Sequence, residues 1–141
     1  MKYVLDSSVA IKWVLPEVDF DKAILLLQEY QSGLHDLLAP DVFPVESGHA
    51  ITRAERQKRI AVGAGWPLWN LIMADVPLLI SYLTLMNRAF EISSSMRVGI
   101  YDCLYVALAE REGCELVTAD DRLVNNLQPM FPFVVLLASL P

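Results

Sequence analysis

The segment that decides the fold is KYVLDSSVAIK, residues 2–12. Residues 3–5, YVL, are an uninterrupted apolar run without polar alternation, which is typical of a strand buried on both faces of a parallel sheet. Asp6 ends this run, and the chain from Ser7 onward has the pattern of a helix. A carboxylate therefore follows a strand at a strand-to-helix junction. In open α/β sheets, ligands bind at this carboxyl end of the strands.

Size and composition predict one globular domain over residues 1–141. The chain is 55% hydrophobic and 20% charged, a balance typical of a protein with a buried core. Its net charge of −6 argues against an electrostatic DNA binder. It does not exclude a nuclease, because a carboxylate-rich metal site itself makes a chain acidic. The two cysteines form no CxxC motif, which favours reduced thiols in a cytoplasmic protein.

The most hydrophobic segment, residues 60–86, is not expected to cross a membrane. Pro67, Asn70 and Pro77 divide it into pieces shorter than the roughly 20 residues that a spanning helix needs. We interpret it as buried helices or as a protein–protein interface. No signal peptide is expected either, because Asp6 interrupts the first apolar run.

Apolar runs and helical patterns alternate along the rest of the chain. Further short strands are predicted around residues 37–40, 78–80, 116–118 and 133–137. Asp41 is expected to cap the helix that follows the second strand. Strands that alternate with helices indicate an α/β domain with a mostly parallel sheet of about five strands.

Four acidic residues are candidates for one site: Asp6, Glu46, Asp102 and Asp120. Each also has a purely structural explanation, because Asp residues at helix starts act as caps and a helix Glu is often solvated. Together they favour a site, since Asp6 and Asp120 each follow a strand and parallel strands end at the same edge of a sheet.

Clustered carboxylates favour a bound divalent cation. Their mutual repulsion raises their pKa values and destabilises the fold unless a cation is present. Mg²⁺ takes one or two carboxylates together with waters and phosphate oxygens. Such a site supports metal-assisted phosphoryl transfer or hydrolysis.

Four segments resemble, in order, the motifs of PIN-domain ribonucleases: VLDSSVAIKW (residues 4–13), PDVFPVES (40–47), YDCLYVALAE (101–110) and LVTADDRL (116–123). The similarity covers nearly the whole chain and is closest to the VapC-type toxins of prokaryotic toxin–antitoxin pairs. The last two motifs are the most specific. The resemblance implies a three-layer α/β/α fold.

The resemblance also implies a function, a cofactor and partners. Toxins of this type are metal-dependent endoribonucleases, and the family's four metal-site acids match the four acids named above, with Mg²⁺ as the ion and Mn²⁺ as a substitute. Ser8 and Thr118 match small hydroxyl positions near the family's site, and Asp121 is a candidate auxiliary acid. The expected partners are an RNA substrate, an antitoxin protein and a second copy of the chain, with residues 60–86 at the dimer interface.

A basic segment follows Glu46. Four of the eleven basic residues lie within seven positions: Arg53, Arg56, Lys58 and Arg59. They form a candidate contact for the RNA backbone. A solvated helix end explains them equally well, because cations stabilise a helix C-terminus.

Three other functions fit parts of this sequence pattern. Haloacid-dehalogenase-like phosphatases need a second acid where Ser8 stands. Both these phosphatases and response-regulator receivers need a lysine late in the chain, whereas the last lysine is Lys58. The remaining alternative is a degenerate PIN module that binds RNA or protein without cleavage. Retention of all four acids argues against it, and a cleavage assay with and without EDTA distinguishes the two.

Overall fold

The protein is described by a computed structural model that covers residues 1–141. Strands and helices alternate along most of the chain, as the sequence predicts. The elements are, in order, β1 (Lys2–Leu5), α1 (Ser7–Ile11), α2 (Phe20–Gln31), β2 (Asp36–Pro40), α3 (Phe43–Arg56), α4 (Gly65–Ala74), β3 (Leu78–Ile80), α5 (Met86–Met96), α6 (Ile100–Glu112), β4 (Glu115–Thr118), α7 (Asp121–Leu127) and β5 (Val134–Leu136). Short 3-10 helices at Tyr82–Leu85 and Leu137–Ser139 complete the structure.

The five strands form one sheet in the order β3-β2-β1-β4-β5, and every neighbouring pair is parallel. The predicted three-layer α/β class is confirmed, and the sheet is entirely rather than mostly parallel. β1 lies at the centre, with Val4 opposite Leu38 of β2 and Leu116 of β4. The chain builds toward one edge through β3 and then returns to place β4 on the other side of β1. Ligands bind at such a reversal in open α/β sheets.

The centre of the core is formed by β1 and α6. Val4 and Leu5 are fully buried because β1 is covered on both faces, which explains its unbroken apolar run. Residues 103–109 of α6 are buried without interruption, since this helix contacts β1, β2 and β4 as well as α5. A helix buried all round shows no amphipathic stripe. On another part of the core, α3 packs against α1 and α4.

Asp41 does not cap α3, and that prediction is wrong. Val42 is the residue before the helix, and no side chain caps it. Asp41 Oδ1 instead accepts a hydrogen bond from Tyr82 N at 2.8 Å, which links the end of β2 to the segment after β3. Pro44 in the first turn of α3 has no N–H to donate, so this helix start has less need of a cap.

Residues 60–86 are only partly internal. Ile72 is fully buried, whereas several large apolar side chains are exposed: Trp66, Leu71, Leu78 and Leu83. No helix of the protein combines the length and the hydrophobicity that crossing a membrane requires. The interpretation as buried helices therefore holds for only part of the segment, and the interface stays a prediction.

Candidate functional site

The four predicted acids lie where helices begin, at the edge of the sheet where the strands end. Asp6 directly precedes α1 and Asp120 directly precedes α7, while Glu46 and Asp102 lie in the first turns of α3 and α6. The positive ends of four helix dipoles thus face the region that contains the carboxylates. Asp6 is close enough to each of the other three for their charges to interact.

Asp6 is the buried centre of this group, with 7% of its surface exposed. Its Oδ2 accepts hydrogen bonds of 2.7 Å from both Ser8 Oγ and Thr118 Oγ1. Although it stands at the start of α1, its side chain makes no capping hydrogen bond. Burial raises the pKa of Asp6, the two hydroxyls partly offset this, and the charge of Asp120 adds to the increase. The capping explanation therefore does not account for Asp6.

Ser8 and Thr118 connect Asp6 to the start of the last helix. Ser8 Oγ accepts a hydrogen bond from Ala119 N at 3.1 Å, and Thr118 Oγ1 accepts one from Asp120 N at 3.1 Å. Both hydroxyls thus donate to one carboxylate and accept from the backbone. This network fixes the Asp6 side chain relative to the end of β4.

Glu46 is held by a tyrosine of the facing helix. The Tyr105 hydroxyl donates a hydrogen bond of 2.7 Å to Glu46 Oε1. Burial raises the pKa of Glu46 to about 7, against the lowering effect of this hydrogen bond and with further increases from Asp6 and Asp102. In the metal-free protein this carboxyl therefore keeps its proton to a higher pH than a free glutamate does.

Asp102 is half-buried and lies among like charges. Burial raises its pKa to about 6, and the charges of Asp6 and Asp120 contribute to the increase. The residue before α6 is Gly99, and Asp102 does not cap this helix.

Asp120 and Asp121 differ in their surroundings. Asp120 caps α7, because its Oδ1 accepts hydrogen bonds from Arg122 N at 3.0 Å and Leu123 N at 3.4 Å. Its capping role and its place beside Asp6 are therefore compatible. Asp121 is exposed and lines a neighbouring cavity, which shares Lys12 and Ala119 with the cavity that contains Asp120. Its role as an auxiliary acid stays a prediction.

No three His, Cys, Asp or Glu side chains in the structure form a group that could hold a metal ion. The chemistry of the donors nevertheless fits a hard divalent cation. None of the four acids forms an ion pair with Lys or Arg. Asp6 is buried and its charge interacts unfavourably with those of the other three acids, a repulsion that a bound metal ion relieves. Mg²⁺ needs only one or two carboxylates because waters complete its shell.

A cleft lies over these residues. It consists of a cavity of about 580 Å³ that contains Glu46 and a cavity of about 350 Å³ that contains Asp120. The two adjoin because both are lined by Ser8, Ala50 and Arg53. The cleft therefore runs along α3, and two of the four acids, Glu46 and Asp120, line it.

The four basic residues of the predicted RNA contact do not form one surface. Arg53 lines both cavities. Arg59 lines only the smaller one and forms an ion pair of 3.2 Å with Glu17. Arg56 and Lys58 line neither cavity. Of the four basic residues, Arg53 is thus the one that lines the whole cleft, a distinction that the sequence pattern does not make.

Tyr105 is a site residue that the sequence interpretation missed. It lies within an apolar helix and is only 1% exposed. The available signal was its spacing, since Tyr105 follows Asp102 by three residues and shares a helix face with it.

The sequence model of the PIN domain family matches residues 3–126. The chain therefore belongs to the PIN-domain family, as its motifs predict. Ribonuclease VapC3 from Pyrobaculum aerophilum is 31% identical to this chain over 137 residues, which covers 96% of this chain and 98% of that protein.

Two solved structures have the same fold. PAE2754 from Pyrobaculum aerophilum matches with a TM-score of 0.70 and 18% identity, covering 99% of this chain and 94% of that chain. VapBC2 from Rickettsia felis, solved bound to a DNA fragment from its promoter, matches with a TM-score of 0.66 and 13% identity, covering 96% and 97%. At these identities the similarity establishes the fold alone.

Proposed function

We propose that the protein is a divalent-metal-dependent endoribonuclease and the toxin of a type II toxin–antitoxin pair. The observation that carries the proposal is the group of four acids at one sheet edge, with no Lys or Arg paired to any of them. Membership of the PIN-domain family and the identity to a VapC ribonuclease support the same reaction class.

The residues that would hold Mg²⁺ or Mn²⁺ are Asp6, Glu46, Asp102 and Asp120. When bound, such an ion supplies positive charge to the phosphodiester and activates a water for attack. Ser8 and Thr118 keep the Asp6 carboxylate oriented through their hydrogen bonds to its Oδ2. The other oxygen, Oδ1, receives neither of these two bonds.

Tyr105 has the same positioning role toward Glu46. Its hydroxyl donates to Oε1 and favours the ionised form of a carboxyl whose pKa is about 7. An ionised Glu46 adds negative charge that favours binding of a cation. Because Tyr105 is buried, it acts through Glu46 and has no direct access to a substrate.

The test is cleavage of single-stranded RNA by the purified protein, with Mg²⁺, with Mn²⁺ and with excess EDTA. We expect cleavage only when a divalent ion is present, and Asp102→Asn should remove it. Asp36→Asn is the matched control, since Asp36 is exposed and lies at the start of β2, the opposite end of the sheet from the acids. Cleavage that continues in EDTA, or in the Asp102→Asn variant, would contradict the metal site.

A second candidate function is that of a PIN module that binds RNA or protein without cleaving it. The observation that favours it is that no three acidic side chains converge as in a preformed metal centre. Calorimetric titration with Mn²⁺ separates the two. Metal binding without cleavage of any RNA tested would favour the binding module.

We further propose that the protein consists of one domain and acts in the cytoplasm. Its two protein partners are an antitoxin and a second copy of the chain. The antitoxin follows from the toxin assignment. A homodimer is supported by the exposed apolar side chains of residues 60–86, since monomers rarely expose large apolar patches. Light scattering on the purified chain tests the dimer, and a stable monomer at micromolar concentration would argue against it.

A further inference from the structure

The cleft contains two side chains that the acid group leaves unused. Tyr101 is 57% exposed and lines the larger cavity, and its hydroxyl has no hydrogen-bond partner. Arg53 lines both cavities and has neither an ion pair nor a side-chain hydrogen bond. An aromatic ring and an uncommitted cation thus face the same space beside Glu46.

Each of these two residues lies on the same helix as one of the four acids. Tyr101 directly precedes Asp102 in the first turn of α6. Arg53 follows Glu46 by two turns of α3, about 10 Å along the helix axis. Both residues therefore lie next to the acids and remain outside their hydrogen-bond network.

Arg53 is notable because it lines the cleft beside Glu46 and Asp120 and yet has no ion-pair partner. The other two cations of the smaller cavity, Lys12 and Arg59, share one partner, Glu17. A guanidinium that stays unpaired in such surroundings is available to an anion from outside the protein. Arginine binds phosphate with two parallel hydrogen bonds, which fits the backbone of a nucleic acid.

Tyr101 provides the complementary contact. Bases of single-stranded nucleic acids stack on exposed aromatic rings, and the ring accepts any base because every base has a π-face. The cavity of about 580 Å³ is within the size range of small-molecule sites and offers room for a nucleotide.

We propose that this cavity is the subsite for one nucleotide of single-stranded RNA beside the scissile phosphate. Tyr101 stacks on its base, and Arg53 binds a flanking phosphate. The proposal rests on the ribonuclease function proposed above, and it assigns substrate binding to two residues outside the group of acids.

The experiment measures the affinity of a short fluorescein-labelled RNA of mixed sequence by anisotropy. All variants carry Asp120→Asn, which keeps the helix cap because Asn caps as well as Asp. A gel checks that the RNA stays intact. The test variants are Tyr101→Ala, Tyr101→Phe and Arg53→Ala. The matched controls are Phe90→Ala, an exposed aromatic of α5 that lines neither cavity, and Arg56→Ala, a cation of the same helix as Arg53 that lines neither cavity.

We expect Tyr101→Ala to weaken binding about 10-fold, the size of one base–aromatic stack, and Tyr101→Phe to restore it. The loss should vanish for an RNA that is abasic at one particular position. Arg53→Ala should weaken binding and lower the slope of log affinity against log salt by about 0.7, the value for one phosphate contact in a single strand. Phe90→Ala and Arg56→Ala should change neither the affinity nor its salt dependence.

Two results would overturn the subsite: no RNA binding by the Asp120→Asn protein, or losses in the test variants no larger than in the controls. The proposed function is judged separately, by cleavage with the wild-type protein and Mg²⁺. Cleavage without the expected binding pattern removes the subsite and leaves the nuclease. The binding pattern without cleavage keeps the subsite and favours the non-cleaving module.

Discussion

Thr118 Oγ1 lies 2.7 Å from Asp6 Oδ2, so the last residue of β4 donates a hydrogen bond to the acid that follows β1. The bond crosses the point where the strand order reverses, and it joins residues that are 112 positions apart. Thr118 is fully buried and Asp6 almost so, which means that water cannot replace either partner. The orientation of Asp6 therefore depends on the pairing of β1 with β4.

Thr118→Val should destabilise the protein, because valine keeps the volume but leaves the buried carboxylate with one donor fewer. The expected loss in the free energy of unfolding is about 1–3 kcal/mol. It should be larger at alkaline than at acidic pH, since the lost hydrogen bond favours the ionised carboxyl. Urea unfolding at two pH values measures this. Thr52→Val, at an exposed position of α3, is the control, and equal losses in both variants would remove the special role of Thr118.

Asp6→Asn separates a metal ligand from a structural residue. The Asn oxygen can still accept the hydrogen bonds from Ser8 and Thr118, while one of several repelling charges disappears. At a pH where the carboxyls are ionised, the metal-free variant should be more stable than wild type by about 1 kcal/mol. The variant should also lose RNA cleavage. Mg²⁺ should raise its melting temperature less than that of the wild type, because a ligand stabilises only the state that binds it.

The measurement is four melting temperatures, for wild type and Asp6→Asn, each in EDTA and in Mg²⁺. Asp36→Asn provides the control for removing an exposed negative charge at the opposite end of the sheet. If the variant melts at a lower temperature than the wild type in EDTA, or if Mg²⁺ raises both melting temperatures equally, Asp6 is a structural residue and not a metal ligand.

The metal-free protein should lose stability as the pH rises from about 4 to 7. In the folded state the pKa of Glu46 is raised from 4.5 to about 7 and that of Asp102 from 3.8 to about 6, by burial first and then by neighbouring carboxylates. The folded state thus holds protons that the unfolded state has released, so the free energy of unfolding falls with pH. The contribution is complete below the unfolded pKa values and lost above the folded ones.

The expected loss is on the order of 1–2 kcal/mol after allowance for partial solvent exposure. Urea unfolding in EDTA across this pH range measures it. In Glu46→Gln the free energy of unfolding should fall much less with rising pH. In the wild type, Mg²⁺ should reduce the same loss of stability. An unchanged slope in Glu46→Gln would mean that other groups cause it.

Two glycines give a matched test of helix packing. At Gly48, within α3, an added Cβ would lie 3.5 Å from Trp69 Nε1, which is ordinary contact. At Gly65, at the start of α4, it would lie 2.6 Å from Glu55 Oε2 and 2.7 Å from Ile51 Cγ2. Gly48→Ala should stabilise by about 0.5–1 kcal/mol, the usual gain over glycine in a helix.

Gly65→Ala should instead destabilise by about 1–3 kcal/mol, because Ile51 is core and Glu55 is held by the backbone N–H groups of Gly63 and Gly65. The melting temperature should rise in Gly48→Ala and fall in Gly65→Ala, relative to the wild type. A loss of stability in Gly48→Ala would show that the close packing of α3 on α4 leaves no space there.

Much of the fold was predictable because it depends on local patterns. The apolar run of residues 3–5 predicted a central strand, and its burial on both faces is the reason that no polar residue interrupts it. The contact of Asp41 with Tyr82 was not predictable, since the same residue type at a strand end also caps helices and only the position of β3 decides between the two.

The sequence by itself determined the α/β class, the parallel sheet and the membership of the PIN-domain family, because periodicity and ordered motifs are properties of the chain. The tertiary structure alone decided which side chains meet. Tyr105 binds Glu46 across 59 positions, and Arg53 faces the cleft while Arg56 does not. These relationships follow from how α3 and α6 pack around the sheet edge, and helix packing depends on contacts between distant segments that no local pattern records.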